Sequence, residues 1–241
     1  MTAASSTRAA VDLNADVAEG LDDVDRELLE VVTSANVACG FHAGGEAEAR
    51  AACELAAARG VAVGAHVGYR DRDGFGRREL GVPAATVEAE ALEQIAALSA
   101  WAGDVGTRVA YVKPHGALYH RATVDAECAG AIVRAAAAAG GLAILAFPGS
   151  QLVARAREAG LAAFDEAFGD RGYAADGSLV PRGSPGAVLD EDAAVSQAVR
   201  LAEAGEARSI CLHGDSPGAA AIARRVRAGL EAAGFELRAF A

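Results

Sequence analysis

The chain has 241 residues, 22 basic and 33 acidic side chains, a formal net charge of −11 and 52% hydrophobic residues. That apolar content excludes a disordered chain, four cysteines are too few for a disulfide scaffold, and the acidic balance argues against nucleic acid as a partner. Barrels of alternating strand and helix reach about 250 residues as one unit, and no Gly/Ser- or Pro-rich linker interrupts the sequence, so 1–241 reads as a single domain.

In chain order, strands are expected at 10–17, 35–40, 61–65, 108–112, 142–147, 161–167 and 209–212, with a short last one at 235–240. Helices are expected near 22–33, 46–59, 86–102, 124–139, 150–159, 190–205 and 217–233. This alternation predicts an α/β fold with parallel strands. Gly60, Gly140, Gly160 and Gly234 each close a helical run, and Ser216-Pro217 reads as an N-cap followed by proline at the first helical position. Residues 128–147 have the length of a membrane span, but Arg134 and Gly140-Gly141 break it into helix, turn and strand. With no apolar signal core in 1–10, a cytoplasmic protein without a membrane segment is expected. Cys39, Cys53, Cys128 and Cys211 form no CxxC pair and read as reduced, structural thiols. The loops at 67–83 and 168–189 are long enough to suggest function.

Four of the five histidines, His42, His66, His115 and His213, fall at strand ends, where parallel sheets bind ligands. VACGFHAG (37–44) and VAVGAHVG (61–68) share one pattern, which suggests neighbouring strands carrying His42 and His66 at matching heights. Asp12, Asn14 and Asp16 alternate with apolar residues and share a face of the first strand. A carboxylate beside two histidines suits a divalent metal held by Asp12, His42 and His66, and equally a metal-free acid/base site. Lys113 and His115 share a face in YVKPHGALYH, and a lysine in an apolar strand calls for a carboxylate or an anionic substrate. Asp12, Asp16, His42, His66, Lys113 and His115 are therefore the catalytic candidates. Asn14, Arg77, Arg78, Arg171, Tyr173, His213 and Asp215 are the substrate-binding candidates. No GxxxxGK[ST] or GxGxxG motif occurs.

The motifs DLNAD, TSANVACGFHAG, GVAVGAHVGYRDRDGFGRREL, VKPHGALYH, AFGDRGYAADGSLVPR, PGAVL and LHGDSPGA together resemble the LamB/YcsF family of 5-oxoprolinase A subunits over nearly the whole chain. The resemblance implies a single-domain, barrel-like (β/α)7–8 fold related to polysaccharide deacetylases and glycoside hydrolase barrels. It also implies hydrolysis of the cyclic amide 5-oxo-L-proline to L-glutamate, with ATP as co-substrate and subunits B and C as partners. A homo-oligomer is compatible with it. Ala18-Glu19-Gly20-Leu21 stands where the family tends to carry Gly-Glu followed by Phe-Gly, and Gly45-Glu46 where it tends to carry Asp-Pro. Two other readings stay open: a metal-dependent deacetylase on a related barrel, and a non-catalytic subunit that only holds substrate.

Overall fold

The computed structural model describes residues 10–20, 22–216 and 218–241. The elements are β1 (Ala10–Val17), α1 (Asp22–Leu29), β2 (Ser34–Ala38), α2 (Glu46–Arg59), β3 (Ala62–Val67), α3 (Ala84–Asp104), β4 (Val109–Pro114), α4 (Gly116–Val124), α5 (Ala126–Ala138), β5 (Ala143–Ala146), α6 (Gln151–Glu158), β6 (Ala163–Phe168), α7 (Glu191–Ala204), β7 (Ser209–Leu212), α8 (Ala219–Ala232) and β8 (Glu236–Leu237). Strands β1 to β7 pair in sequence order and in parallel, and β7 also pairs with β1, so the seven close into a ring. The eighth strand lies outside the ring and pairs with the start of β1 through Ala10↔Glu236 and Val11↔Leu237.

The expected alternation is present, with differences at the edges. One helix has no counterpart among the expected elements. The VKPHGALYH strand stops at Pro114, and α4 starts at Gly116 without a side-chain cap from His115. The Pro217 start and the question of a signal segment in 1–9 lie outside the described residues, and α8 begins at Ala219 with Gly218 at its N-cap. The four cysteines are free and buried. No described helix is long and apolar enough to cross a membrane.

Helices cover the outside of the ring through small residues such as Ala52, Ala56, Ala91 and Ala135, all buried, so helix backbones sit close to the strands. The interior is filled differently. Strand alternation turns Asp12, Asn14 and Asp16 inward from β1, Ser34 and Asn36 from β2, and Tyr111 and Lys113 from β4, and every one of them is buried. At the amino end of the strands Phe240 packs on Tyr111 and Phe164, with ring centroids 4.8 Å apart in both pairs. That aromatic plug closes one end of the barrel and leaves the carboxyl end as the mouth.

Candidate active site at the barrel mouth

The polar interior is stacked in layers. In the lowest, Thr33 and Ser34 donate hydroxyl hydrogens to Asp12 Oδ1, each at 2.6 Å, and Ser209 donates to Oδ2. Burial pushes the Asp12 carboxyl up to about 6 in spite of these donors. In the middle layer, Asn36 Nδ2 donates to Asn14 Oδ1 at 2.7 Å and to Asp16 Oδ1 at 2.8 Å, while Tyr111 donates to Asn36 Oδ1. These buried amides and the phenol are satisfied by one another, as burial demands.

The upper layer carries charge. Lys113 Nζ lies 3.2 Å from Asp16 Oδ1, 3.1 Å from Glu166 Oε2, and 3.0 Å from Cys211 Sγ. Burial would push this ammonium down, but Asp16, Cys211 and Glu166 hold it well above its usual range. Asp16 Oδ2 also lies 3.4 Å from His66 Nε2. Against the upward push of burial, His66 and Lys113 hold Asp16 well below the ordinary carboxylate value, so it is ionised. Burial pulls His66 down, yet Asp16 raises it above its ordinary value. His66 Nδ1 donates to the Lys113 carbonyl at 3.0 Å, which fixes the ring.

His115 Nδ1 is 3.0 Å from His66 Nε2, and His115 Nε2 donates to the Phe75 carbonyl at 2.8 Å. His42 stacks on His115 with centroids 3.9 Å apart and planes 5° from parallel. Burial and the neighbouring imidazoles hold His42 and His115 well below the usual histidine value, so both are neutral. Glu19 Oε1 completes the group, 3.1 Å from His42 Nε2 and 3.4 Å from His115 Nδ1. Its carboxyl is raised by burial.

A cavity of about 200 Å³ opens above this layer and is lined by Asp16, Glu19, His66, Lys113, His115, Arg77, Arg171, Arg182, His213 and Asp215 among others. Arg77 and Arg182 both pair with Asp215, and His213 Nδ1 donates to Asp170 Oδ1 at 2.9 Å. Against the upward push of burial, Arg182 and Arg77 hold Asp215 below its ordinary value. Arg171 directs Nε and one Nη to the carbonyls of Ala187 and Val180, tying down the 168–189 loop.

Of the candidate residues, Asp16, His66, Lys113, His115, Arg77, Arg171, His213 and Asp215 meet at this cavity. Asn14 lies one layer lower. Tyr173 accepts a hydrogen bond from the Phe168 amide, and Arg78 pairs with Asp71, both away from the cavity. The expected metal trio of Asp12, His42 and His66 is not assembled. Asp12 lies two inward layers below Asp16, about 13 Å along the strand, and its oxygens are bonded to hydroxyls. The matching heights of His42 and His66 also fail. His66 is in register with Ala38, and His42 comes from the bend beyond β2, reaching His66 at a centroid distance of 5.4 Å. Sequence reasoning missed Glu19 and Glu166. The second was visible in principle, because Glu166 alternates with its neighbours along β6 as Asp12, Asn14 and Asp16 do along β1.

Among the described residues, His, Cys, Asp and Glu ligand atoms crowd within 4.8 Å in two groups: Glu19, His42, His66 and His115, and Asp16, Cys211 and His213. The chemistry on offer is an ionised carboxylate between a buried ammonium and the His66 ring, beside the neutral imidazoles of His42 and His115, under an arginine rim. That set can take a proton from water and offset developing negative charge.

Comparison with known proteins agrees over nearly the full length. The A subunit of 5-oxoprolinase from Streptomyces avermitilis is 53% identical over 250 residues, covering 96% of this chain and 100% of that protein. A solved lactam utilization protein from Thermus thermophilus superposes with a TM-score of 0.88 at 43% identity, covering 96% of this chain and 100% of that one. A family 4 carbohydrate esterase from Streptomyces lividans, at 15% identity and a TM-score of 0.53, covering 96% of this chain and 93% of that one, shares the barrel fold. The profile of the LamB/YcsF family matches residues 11–241, and the chain belongs to that family.

Proposed function

We propose that this chain is the A subunit of an ATP-dependent 5-oxoprolinase and carries the hydrolytic site that opens 5-oxo-L-proline to L-glutamate in the cytoplasm, working with subunits B and C. The observation that carries the reading is the small mouth cavity, with Asp16 held between Lys113 and His66 beneath Arg77 and Arg182. A five-membered lactam bearing one carboxylate fits such a space and such charges. The names of the relatives support the substrate class.

A lactam carbonyl is a poor electrophile. Transfer of the γ-phosphoryl group of ATP to its oxygen releases ADP and activates the ring carbon. Water then adds to that carbon and loses a proton, the C–N bond breaks to give an amine and an acyl phosphate, and a second water releases phosphate and glutamate. Asp16 is the carboxylate placed to receive the proton. Lys113 and His66 offset negative charge at the reacting oxygen, and Arg77, Arg182 and His213 hold the substrate carboxylate and phosphate. The sequence has no phosphate-cradling motif, so the phosphoryl donor is assigned to the partner subunits.

The test is glutamate production from 5-oxo-L-proline and ATP by the chain reconstituted with subunits B and C. Asp16→Asn is expected to lower turnover by about a hundredfold or more with the fold retained. Undiminished turnover by that variant, or efficient ATP-independent turnover by the chain alone, overturns the assignment.

A further inference from the structure

We propose that Glu19, His66 and His115 form a binding site for one divalent transition-metal ion, with zinc the best match to its donors. The proposal does not depend on the lactam reading. It rests on how three ligand atoms are held and aimed.

His66 Nε2, His115 Nδ1 and Glu19 Oε1 face one another at 3.0, 3.4 and 3.9 Å. Around a tetrahedral ion with bonds of about 2.0–2.1 Å, neighbouring ligand atoms lie about 3.4 Å apart. The observed separations bracket that value. Each ligand also has the outer partner that metal-bound groups need. His66 donates its Nδ1 hydrogen to the Lys113 carbonyl, and His115 donates its Nε2 hydrogen to the Phe75 carbonyl, which leaves His66 Nε2 and His115 Nδ1 for an ion. His42 Nε2 sits against the Glu19 carboxylate at 3.1 Å.

His42 supports the ligands from behind. Its ring is parallel to that of His115, and a lone pair lies in the plane of its imidazole, so the two rings cannot aim at one ion. His42 is also absent from the cavity wall, whereas Glu19, His66 and His115 all line it. Three protein ligands with the remaining position open to a cavity is the pattern of catalytic rather than structural zinc. A bound ion would supply Lewis acidity at the floor of the cavity.

The backbone gives an independent pointer. Among the described residues, Ala18 and Phe75 are the two non-glycine residues with positive φ, 60° and 53°. Ala18 directly precedes Glu19, and Phe75 supplies the carbonyl that orients His115. Side-chain-bearing residues hold that conformation at a cost, and such strain gathers at functional sites. The rings are also clamped: a Cβ on Gly68 or Gly76 would meet His42 atoms at 2.6 and 2.7 Å, and one on Gly76 would meet His115 at 2.9 Å.

The test is metal uptake by the full chain after chelator treatment, by equilibrium dialysis against micromolar Zn²⁺ or Co²⁺ with elemental analysis and the visible spectrum of the Co²⁺ form. One equivalent is expected, with the Co²⁺ bands of a low-symmetry nitrogen/oxygen site. Glu19→Gln and His115→Asn should each weaken uptake by more than about a hundredfold, while His42→Asn weakens it about ten- to a hundredfold. Cys211→Ser should leave it unchanged, which separates this site from the second ligand group. The metal-free melting temperature of each variant reports whether it folds, and near-isosteric Glu19→Gln remains informative if a histidine variant does not. No uptake by the parent chain, or full uptake by folded Glu19→Gln, overturns the proposal.

Discussion

Asp12 and Asp16 stand on one face of one strand, both buried, and meet opposite fates. At the closed end Asp12 is surrounded by hydroxyls, which donate hydrogen bonds without bringing charge, and its carboxyl is pushed up to about 6. At the mouth Asp16 faces the Lys113 ammonium and the His66 ring and is held far below its ordinary value. Dipoles alone do not offset the loss of water around a carboxylate, whereas a paired cation does. The two carboxylates thus sit in opposite electrostatic surroundings, although the sequence presents them as equals.

The sharpest way to break this contrast is to remove the cation. Lys113→Met leaves Asp16 and Glu166 buried without their shared partner, and should cost about 3–5 kcal/mol in denaturant unfolding at neutral pH. The double variant Lys113→Met/Glu166→Gln should recover part of that loss. A cost below about 1 kcal/mol for the single variant would mean that something other than Lys113 keeps the mouth charged.

The next effect concerns the closed end. Asp12 binds its proton more tightly when folded, with a value of about 6 against 3.8 for an ordinary aspartate. Between those values the folded state carries the extra proton, so stability contributed by Asp12 is present at low pH and is lost as pH rises through about 6. The difference in unfolding free energy between the parent and Asp12→Asn should therefore swing by on the order of 3 kcal/mol in the parent's favour from about pH 8 to about pH 4. Turnover of Asp12→Asn should stay within a few-fold of the parent. A flat difference, or a turnover loss like that expected for Asp16→Asn, would erase the distinction between the two ends.

The smallest effect tests the strained entrance. Ala18 has φ 60°, and the Ala18 carbonyl comes within 2.1 Å of where a Cβ on Gly44 would lie. Ala18→Gly relieves the backbone but loosens the unfolded chain, so a net gain below about 1 kcal/mol is expected from melting curves. A clear loss of stability would show that the left-handed turn carries no strain.

Strand alternation made much of this site legible. Inward-facing Asp12, Asn14, Asp16 and Lys113 follow from period two, and the histidines mark the carboxyl ends of strands. The rule stops where the strands stop. Glu19 is aimed by the left-handed turn at Ala18, beyond the end of β1 where alternation no longer holds, and His42 arrives from a bend rather than from a strand face. Register was the other hidden quantity. Two segments of near-identical sequence suggested aligned histidines, but the ladder pairs Ala38 with His66, so the repeated pattern does not run in step across the two strands. Asp12 looked reactive for want of the third dimension: Thr33, Ser34 and Ser209, which satisfy it, come from distant parts of the chain.

One of those hydroxyls has a consequence for how the protein forms. Ser209 reaches Asp12 across 197 residues, over the seam where β7 meets β1. The other ring pairings join strands that follow one another, so the ring is able to grow stepwise, but this seam needs the two extremes of it to meet. Such non-local closure is entropically slow, and until it happens two unpaired strand edges stay open to wrong partners. Asp12 gains its last hydroxyl and its full shelter from water only at that moment. The proton that Asp12 takes up at about pH 5 during refolding is thus a clock for the closing of the barrel, readable as the difference between the pH-dye traces of the parent and of Asp12→Asn.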